Sequence, residues 1–439
     1  MMPKRPSGNA RLTSHSAGTS LATHLELFGP LDVNWQPGTP DAALRDLTTR
    51  SGLRGRGGGW FPTGRKMDAL ANGGSDKPPC LVENAMESEP ASHSDAWLLS
   101  ANPHLVFDGM QIAAQSIGAR RATLAIHEGH SAESVVREAL ADRNEDAVPI
   151  DLAILKSHYV SSEESALAQG VGGDLAIPVY GLRPHEYGVD GNPTMVNNAE
   201  TLAHLALIAR WGADWFREVG TPDAPGTALL SAGGAFVQPG VYEAPLGEAS
   251  TNVVEIAGGL VDVPIAFLIG GYGGHWVSAE EFLSTSWDPE DLRVRGLNLG
   301  AGVLWALPAE NCGLIGTARI ATYMAGESAG QCGPCRFGLS ELADRLTQLA
   351  LRRDVADNLQ AVEALLPLVT RRGGCAHPDG VARLIGSAID VFAEEIAEHA
   401  AGRCMSADDP EVTFPIPEVR ERPAPLPDRS WRPITTGSR

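Results

Sequence analysis

Short apolar runs and stretches with helical periodicity alternate along the first half of the chain. The apolar runs predict buried strands at 79–82, 122–126 and 150–155, and the periodic stretches predict helices at 41–49, 103–117 and 132–141. Alternation of this kind is typical of parallel βαβ crossovers. The sequence therefore predicts an α/β domain with a parallel sheet over residues 50–225.

The pattern changes twice further along the chain. Between 226 and 310, short β-type segments separated by Gly/Pro turns predict a small β-rich domain. Between 311 and 405, apolar residues at spacings of three and four predict a four-helix bundle. Its helices are expected at 313–326, 334–351, 354–370 and 378–400.

The two ends of the chain are polar. Residues 1–24 are predicted to be disordered and 24–31 to form a short strand, and 1–49 together are assigned to an N-terminal extension. Residues 406–439 are rich in proline and arginine, which predicts a disordered tail.

The composition of the chain indicates a globular protein. The chain has 439 residues, of which 43% are hydrophobic, enough for several globular domains. It has no apolar run of bilayer length and no apolar signal-peptide core, so we expect a cytoplasmic protein without a transmembrane segment. A transit peptide is the alternative interpretation of the N-terminus, and a disordered tail is favoured. The net charge of −20 argues against a nucleic-acid partner.

The most distinctive stretch is the glycine-rich loop at 55–66. Five of its twelve residues are glycine, and Arg56, Arg65 and Lys66 add three cations close to the start of a predicted helix. Glycine brings backbone N–H groups close to a ligand, and a helix N-terminus favours anions. The loop therefore predicts a cradle for a phosphate-bearing ligand. A flexible surface loop is the alternative.

Three polar segments, at 83–89, 159–165 and 193–201, lie at strand ends or before helices. In open α/β sheets, ligands bind outside the carboxyl ends of the strands, which favours a ligand site here. Solvated carboxylates are the alternative for the first segment. Helix capping is the alternative for Glu163 and for the two asparagines, Asn197 and Asn198.

Six cysteines are present, at 80, 312, 332, 335, 375 and 404. A disulfide framework is not expected in a chain of this size without an export signal. The Cys332-Gly-Pro-Cys335 pair indicates a metal or redox site instead.

Several motifs in order carry a resemblance to a known family. They are the Gly-Arg-Gly-Gly loop, Asn-Ala-x-Glu-x-Glu-Pro at 84–90, Glu-Glu at 163–164, Val-Asn-Asn-x-Glu-Thr at 196–201, and the 327–336 cysteine segment with Cys375. Over roughly residues 50–405 the chain resembles the NADH-binding flavoprotein subunit of respiratory complex I. The same module occurs in NAD-reducing hydrogenases and NAD-dependent formate dehydrogenases.

The resemblance implies a Rossmann-like flavin domain, a β-grasp (SLBB-like) domain and a helical bundle that holds a [4Fe–4S] cluster. It implies an oxidoreductase with FMN as cofactor and NADH as substrate. Hydride would pass from the nicotinamide to the flavin, and single electrons would pass to the cluster. The expected partner is an iron–sulfur electron-transfer protein or a ferredoxin.

The resemblance also implies roles for individual residues. The expected FMN-binding residues are Gly55, Arg56, Gly57, Gly58, Lys66, Asn84, Glu87, Asn197, Asn198 and Thr201. Glu89 and Glu164 are expected to face the nicotinamide nucleotide, and Glu163 joins the cofactor-binding set with them. A carboxylate that accepts both ribose hydroxyls would select NADH over its 2′-phosphate analogue. The expected cluster ligands are Cys332, Cys335 and Cys375. Hydride transfer requires no side-chain acid or base, so no catalytic residue is predicted.

The chain departs from the family pattern at four places. Ala329 replaces the first cluster cysteine, so three cysteines remain. The fourth ligand could then come from Ser328, His377, Cys312 or a small molecule. The alternatives are a [3Fe–4S] cluster or an empty site. Met86 replaces an aspartate beside the flavin. Trp60 and Ser162 replace glycines, and the 180–184 segment lacks the expected pattern with its stacking aromatic.

These departures leave three hypotheses open. The first is an NADH dehydrogenase flavoprotein that passes electrons to a partner. The second is a flavo-iron–sulfur subunit that has lost NADH binding and exchanges electrons with a ferredoxin-like partner. The third is a structural subunit with neither cofactor active.

Overall fold

The computed structural model describes residues 5–6, 8–31, 38–406 and 414–419. Its first sheet has four parallel strands in the order β3-β2-β1-β4, namely β1 (Cys80–Ala85), β2 (Arg121–His127), β3 (Ile150–Leu155) and β4 (Thr194–Asn197). The chain builds outward from β1 to β3 and then crosses to the other side of β1. This reversal creates a switch point between β1 and β4, where open α/β sheets bind ligands. The predicted parallel α/β domain is confirmed.

Helices pack on both faces of this sheet. The helices of this half of the chain are α1 (Leu21–Phe28), α2 (Ala42–Ser51), α3 (Thr63–Ala71), α4 (Ser94–Ala101), α5 (Pro103–Ile117), α6 (Glu133–Ala141), α7 (Glu164–Val171), α8 (Ala199–Trp211) and α9 (Ala213–Phe216). Leu81 and Ala85 belong to the core that α5 and α8 share. Val82 and Met86 point the opposite way, into a smaller apolar cluster with Leu167 of α7, as the period of two in a strand requires.

The second domain is β-rich, as the sequence pattern predicts, and has the β-grasp fold that the resemblance implies. Its elements are β5 (Thr227–Gly234), β6 (Gly240–Pro245), β7 (Glu248–Ala249), α10 (Ser250–Ile256), β8 (Ala266–Ile269), β9 (His275–Ser278), α11 (Ala279–Leu283), β10 (Ser286–Trp287), α12 (Pro289–Val294) and β11 (Val303–Ala306). The main sheet has the order β6-β5-β11-β8-β9, with β5 and β11 parallel at the centre and the other pairs antiparallel.

The C-terminal domain is helical. Its elements are α13 (Gly313–Gly326), a π-helical turn (Pro334–Gly338), α14 (Leu339–Ala350), α15 (Val355–Val369), α16 (His377–Val391) and α17 (Ala393–Ala400). The helix predicted at 378–400 is interrupted at Phe392, whose ring is buried and packs 5.1 Å from that of Trp276. In the described part of the chain, every helix is too short or too polar to cross a bilayer. The domain boundaries stay predictions.

The prediction for the N-terminus is wrong in its described part. Residues 21–28 form helix α1 instead of a strand, and the side chain of Ser20 caps it by accepting a hydrogen bond from the Thr23 amide. Residues 8–20 pack on the protein, because the Glu243 carboxylate accepts hydrogen bonds from the amides of Arg11 and Leu12, each at 2.8 Å. Glu243 is more than 200 residues away in the chain, so the sequence around residues 8–20 does not predict this contact.

Part of the predicted disordered tail is also packed. The Phe414 ring is 5% exposed and stacks on Trp305 with the ring centroids 5.1 Å apart. The Tyr272 hydroxyl donates a hydrogen bond of 2.7 Å to the carbonyl of Pro415. The prediction of disorder is therefore wrong for 414–419, and the remainder of the predicted tail beyond residue 406 lies outside the described residues.

The contact between α5 and α8 depends on one glycine. A Cβ atom added at Gly109 would lie 1.9 Å from the carbonyl oxygen of Leu202 and 2.4 Å from its carbon. Backbone atoms cannot move aside as a flexible side chain can. We expect Gly109→Ala to lower the free energy of unfolding by about 2 kcal/mol or more, measured as a lower apparent Tm.

Gly386→Ala is the matched control for this change. It also places alanine in a helix interior, but the nearest atom to the added Cβ is Leu366 Cδ1 at 4.0 Å. Alanine has the better helix propensity, so this variant should be neutral or more stable by up to about 1 kcal/mol. Equal effects of the two substitutions would contradict the packing argument.

Candidate functional site

A cavity of about 770 Å³ lies where the three domains meet. It opens beside the carboxyl ends of β1 and β4, whose register pairs Glu83 with Asn197. A smaller cavity of about 120 Å³ shares wall residues with it, among them Gly57, Asn84 and Asn198. The site therefore occupies the switch point of the parallel sheet, as the topology predicts.

The smaller cavity has the properties of a phosphate site. It is lined by Thr63, Lys66 and Asn197, and Thr63 begins α3, whose N-terminus has no side-chain cap. Among the described residues, the Thr63 hydroxyl and the Asn197 amide nitrogen are buried without a hydrogen-bond partner. Buried donors of this kind are costly unless a ligand pairs with them. Together with the N-terminus of α3, which carries a partial positive charge and no side-chain cap, they fit a phosphate group.

The glycine loop contributes backbone groups to the walls of the two cavities, and the cation of Arg56 points elsewhere. Gly58 has φ of +96°, a conformation that side chains rarely adopt, and Gly55, Gly57 and Gly58 each line one of the two cavities. The guanidinium of Arg56 is buried and donates to the carbonyl of Thr227 at 3.0 Å. Its cation therefore binds the β-grasp domain and is not directed at the smaller cavity. The sequence predicts Arg56 as one of the cations of the phosphate cradle, and the structure does not place it there.

The two asparagines before α8 and Thr201 in its first turn line the smaller cavity, and one of them also caps the helix. The Asn198 side chain caps α8 by accepting a hydrogen bond from the Thr201 amide at 3.2 Å. The Thr201 hydroxyl accepts the Arg56 amide at 2.9 Å. The capping alternative thus holds for Asn198, while Asn197, Asn198 and Thr201 all line the smaller cavity.

Asn84 and Glu87 extend from the end of β1 along the wall of the larger cavity. The Asn84 amide donates to the carbonyl of Ser162 at 2.9 Å, which joins the ends of β1 and β3. The Glu87 carboxylate accepts the amides of Asp95 and Ala96 at 2.9 and 3.0 Å, at the N-terminus of α4. Both side chains are thus fixed before any ligand binds.

The Glu89 carboxylate on the cavity wall binds groups from two other segments of the chain. It accepts hydrogen bonds from the Tyr159 hydroxyl at 2.9 Å and from the Tyr272 amide at 2.8 Å. Burial raises the pKa of Glu89 to about 7, although these hydrogen bonds favour the carboxylate. Its charge therefore changes near neutral pH.

The Glu-Glu segment divides into two roles. Glu163 caps α7, since its carboxylate accepts the amides of Ser165 and Ala166, each at 3.0 Å. Glu164 pairs with Lys66 at 2.5 Å, and Lys66 also donates to the carbonyl of Val196 at 2.7 Å. The capping alternative is thus correct for Glu163, which also lines the larger cavity, and Glu164 lines the smaller one.

The three predicted cluster cysteines lie together at the bundle end of the larger cavity. Burial raises the pKa of Cys335, and the neighbouring thiols of Cys332 and Cys375 add to this effect. Cys375 lines the cavity itself. Ala329 offers no ligand atom, so these residues supply three of the four thiolates that a [4Fe–4S] cluster ordinarily takes. Cys312, one alternative fourth ligand, belongs to a different side-chain cluster with Glu395, His399 and Cys404.

The other departures leave the cavity open. Met86 is fully buried in the apolar cluster with Val82 and Leu167, and it lines neither of the two cavities. The Ser162 hydroxyl bonds to that of Ser88. The Trp60 ring lies 4.7 Å from the Arg56 guanidinium and forms part of the wall. Tyr180, in the altered segment, is 78% exposed.

Several lining residues were not predicted. They include Thr63, Tyr159, Arg293 and Arg383. Thr63 is the first residue of a helix after a glycine-rich loop, which is a usable signal for a phosphate ligand. The two arginines come from the β-grasp domain and the bundle, and only the packing of the domains brings them to the cavity.

The raised pKa of Glu89 makes the free energy of unfolding depend on pH, which can be tested. The folded protein binds this proton more tightly than the unfolded chain, so the contribution is full below about pH 4.5 and falls as the pH rises through about 7. Glu89→Gln removes the titration. We expect the variant to gain stability relative to the native protein when the pH is raised from 5 to 8. The gain in the free energy of unfolding should be at most about 3 kcal/mol, and it is measured through the difference in Tm between the two proteins at each pH. An equal difference at both pH values would contradict the raised pKa.

Two family models match the chain. Residues 48–207 match the model described as "Nuo51 FMN-binding domain", and residues 316–399 match the "NADH-ubiquinone oxidoreductase-F iron-sulfur binding region". These matches confirm the predicted FMN-binding domain and iron–sulfur region.

Curated relatives and solved structures agree with this assignment. The F subunit of the NADH-quinone oxidoreductase of Streptomyces coelicolor is 33% identical over 380 residues, which cover 83% of this chain and 84% of that protein. The NADP-reducing hydrogenase subunit HndC of Solidesulfovibrio fructosivorans is 30% identical, with coverage of 82% and 76%.

Two crystal structures of an NAD⁺-reducing [NiFe]-hydrogenase, in the H₂-reduced and the air-oxidized state, superimpose with TM-scores of 0.75 and 0.76 at 30% and 29% identity. They cover 81% and 87% of this chain, which spans only 62% and 66% of the hydrogenase chains. The sequence identity to the Streptomyces protein, the two family matches and the shared fold together show that the chain belongs to the family of the NADH-quinone oxidoreductase F subunits.

Proposed function

We propose that this chain is an NADH-oxidising flavoprotein subunit that passes electrons through an iron–sulfur cluster to an iron–sulfur partner protein. One observation carries the proposal: a single cavity is lined by the glycine loop, by Glu87 and Glu89, and by Cys375. A nucleotide site and a cluster ligand therefore share one wall. FMN, when bound, supplies the exchange between the hydride of NADH and single electrons.

The phosphate end of FMN fits the smaller cavity. The Thr63 hydroxyl and the Asn197 amide would donate to it, and the N-terminus of α3 would add its partial positive charge. Lys66 supplies the nearby cation that Arg56 does not. Asn84 and Glu87, both held by hydrogen bonds to backbone, would orient the remainder of the cofactor in the larger cavity.

The larger cavity suits a second nucleotide. Its volume of about 770 Å³ lies within the range of roughly 300–1,000 Å³ that small-molecule sites occupy. Arg54, Arg293 and Arg383 place three cations on its wall, and Glu290 pairs with the first two at 2.6 and 2.9 Å. The cations exceed this one carboxylate and would bind the pyrophosphate of NADH. The Glu89 carboxylate on the same wall would repel a 2′-phosphate and so favour NADH over NADPH.

The surface around Cys332 and Phe337, through which electrons would leave to the partner protein, faces solvent. Cys332 is half-buried, and Phe337, which follows the cysteine pair, is 70% exposed. An exposed aromatic side chain beside a redox centre is typical of a protein interaction surface. The comparisons give no support to the hypothesis that NADH binding has been lost, and the departures at Trp60, Met86 and Ser162 do not close the cavity.

An anaerobic titration of the purified protein tests this function. We expect stoichiometric NADH to bleach the flavin absorbance, because the cavity that holds the nucleotide adjoins the flavin site. NADPH should bleach it at least tenfold less effectively, which corresponds to about 1.4 kcal/mol of discrimination. A flavin that stays oxidised with NADH but is bleached by dithionite would overturn the proposal.

A variant separates cofactor retention from NADH binding. Thr63→Val keeps the shape of the side chain and removes the hydroxyl that would pair with the phosphate. It should lower the FMN content, and flavin that remains bound should still be bleached by NADH. Unchanged FMN content would remove Thr63 from the phosphate site.

The substitution Ala329→Cys tests the cluster site. It restores a fourth thiolate to Cys332, Cys335 and Cys375, so iron and sulfide per chain should rise towards about four each, and the cluster should survive air longer. The measurement is iron and acid-labile sulfide analysis, with visible and paramagnetic resonance spectra.

Ser340→Cys adds a cysteine at an exposed position of helix α14 and is the matched control. It should leave the iron content as it is in the native protein. If Ala329→Cys changes neither iron content nor spectra, the 329–375 region is not a cluster site.

A further inference from the structure

A second group of metal-ligand side chains lies inside the C-terminal bundle. Cys312, Glu395, His399 and Cys404 each present one ligand atom, and these atoms all lie within 4.8 Å of one another. Cys312, Glu395 and His399 are 2%, 4% and 1% exposed. The family matches and the cluster cysteines leave this group unexplained.

The fold brings these residues together from both ends of the domain. Cys312 is the N-cap of α13, the first helix of the bundle. Glu395 and His399 lie one turn apart on α17, so both point to the same side of that helix. Cys404 follows shortly after the helix ends. A shared ligand would therefore tie the first helix of the bundle to the last.

Three of the six distances between these ligand atoms lie within or close to the length of the edges of one metal tetrahedron. Cys312 Sγ lies 3.7 Å from His399 Nε2, Glu395 Oε1 lies 3.7 Å from His399 Nε2, and Cys404 Sγ lies 3.2 Å from Glu395 Oε1. Zinc bonds of about 2.3 Å to sulfur and about 2.0–2.2 Å to nitrogen and oxygen place tetrahedral ligands about 3.4–3.8 Å apart. The group needs little movement to enclose an ion.

The environment of His399 favours a ligand at Nε2. Its other ring nitrogen, Nδ1, lies 3.3 Å from the carbonyl of Leu349, to which it can donate a hydrogen bond. Metal-bound histidines usually make such a bond with the second nitrogen, which leaves Nε2 as the electron donor. Cys312 Sγ likewise accepts the Ile315 amide at 3.5 Å, an interaction that stabilises a thiolate.

We propose that Cys312, Glu395, His399 and Cys404 form a structural zinc site, distinct from the iron–sulfur site, that fastens α17 to the start of α13. Two thiolates, an imidazole and a carboxylate are zinc donors, and four protein ligands make a closed site without a position for substrate. Binding displaces the two thiol protons to solvent, so the ion replaces two protons with no change in oxidation state.

A disulfide between Cys312 and Cys404 is the competing use of the same sulfurs, since they lie within 4.8 Å. It would leave Glu395 and His399 without a shared ligand. The two possibilities differ in metal content and in free-thiol count, so one set of measurements separates them.

The test is elemental analysis of the full-length protein purified anaerobically from zinc-supplemented cells. We expect about one zinc per chain in the native protein and in a Cys332→Ser/Cys375→Ser variant, which should lose only iron. Cys312→Ser and Cys404→Ser should each lose the zinc and keep the iron. Serine at 312 keeps a side chain able to cap α13, so loss of metal would not reflect loss of the cap.

Cobalt gives a second readout. Native protein freed of zinc by a chelator and loaded with Co²⁺ should show thiolate charge-transfer and tetrahedral ligand-field absorption, and Cys404→Ser should not. Chelation should also lower the Tm of the native protein and leave that of Cys404→Ser unchanged. Three results would overturn the proposal: no zinc in the native protein, zinc lost with Cys375, or a Cys312–Cys404 disulfide in anaerobically prepared protein.

Discussion

The Glu89 carboxylate is the interaction on which the geometry of the site depends. It comes from the loop after β1, accepts the hydroxyl of Tyr159 from the loop after β3, and accepts the amide of Tyr272 from the β-grasp domain. The Tyr159 ring in turn lies 5.5 Å from His377 of the bundle. One buried carboxylate thus links the flavin domain to the second domain directly and to the third through Tyr159. Glu89 and Tyr159 both line the cavity between the domains, so this contact forms part of its wall.

A second buried group fixes how the flavin domain meets the β-grasp domain. Arg56 donates to the carbonyl of Thr227, and Glu200 of α8 accepts the amide of Leu229 at 2.9 Å. Both residues therefore bind the first residues of strand β5, and their charges lie 3.7 Å apart. Burial lowers the pKa of Arg56 to about 10 and raises that of Glu200 to about 8. Backbone groups and the partner side chain offset part of the cost of burying each group, and at neutral pH the Glu200 carboxyl is mostly protonated. The glycine loop, which carries Arg56, is thereby held at the phosphate site.

The sequence predicts β1, β2 and β3 because each of them contains an apolar run. It does not predict β4, because Thr194–Asn197 has only four residues and two of them are polar. The polar segments after β1 and before α8 indicate a ligand site, and the structure brings them together because Glu83 of β1 pairs with Asn197 of β4. The prediction fails where partners are distant in the chain. The N-terminal segment is ordered by Glu243, and Arg56 binds the carbonyl of Thr227. The prediction from the sequence likewise does not show that the side chain of Met86 packs with Val82 and Leu167 and lines neither cavity.

In the proposed function, the position of Ala329 explains how electrons could still reach the cluster without the fourth cysteine. Cys375 lines the larger cavity, so it would be on the side of the cluster from which electrons arrive. Ala329 is only half-buried and is followed by exposed Gly330 and Gln331. A thiolate missing there would leave the wall of the cavity unchanged. Its effect would fall on the potential and lifetime of the cluster, because exposure and ligand set govern both. The proposed route depends on Cys375 and on the packing of Tyr159 against His377 of the bundle.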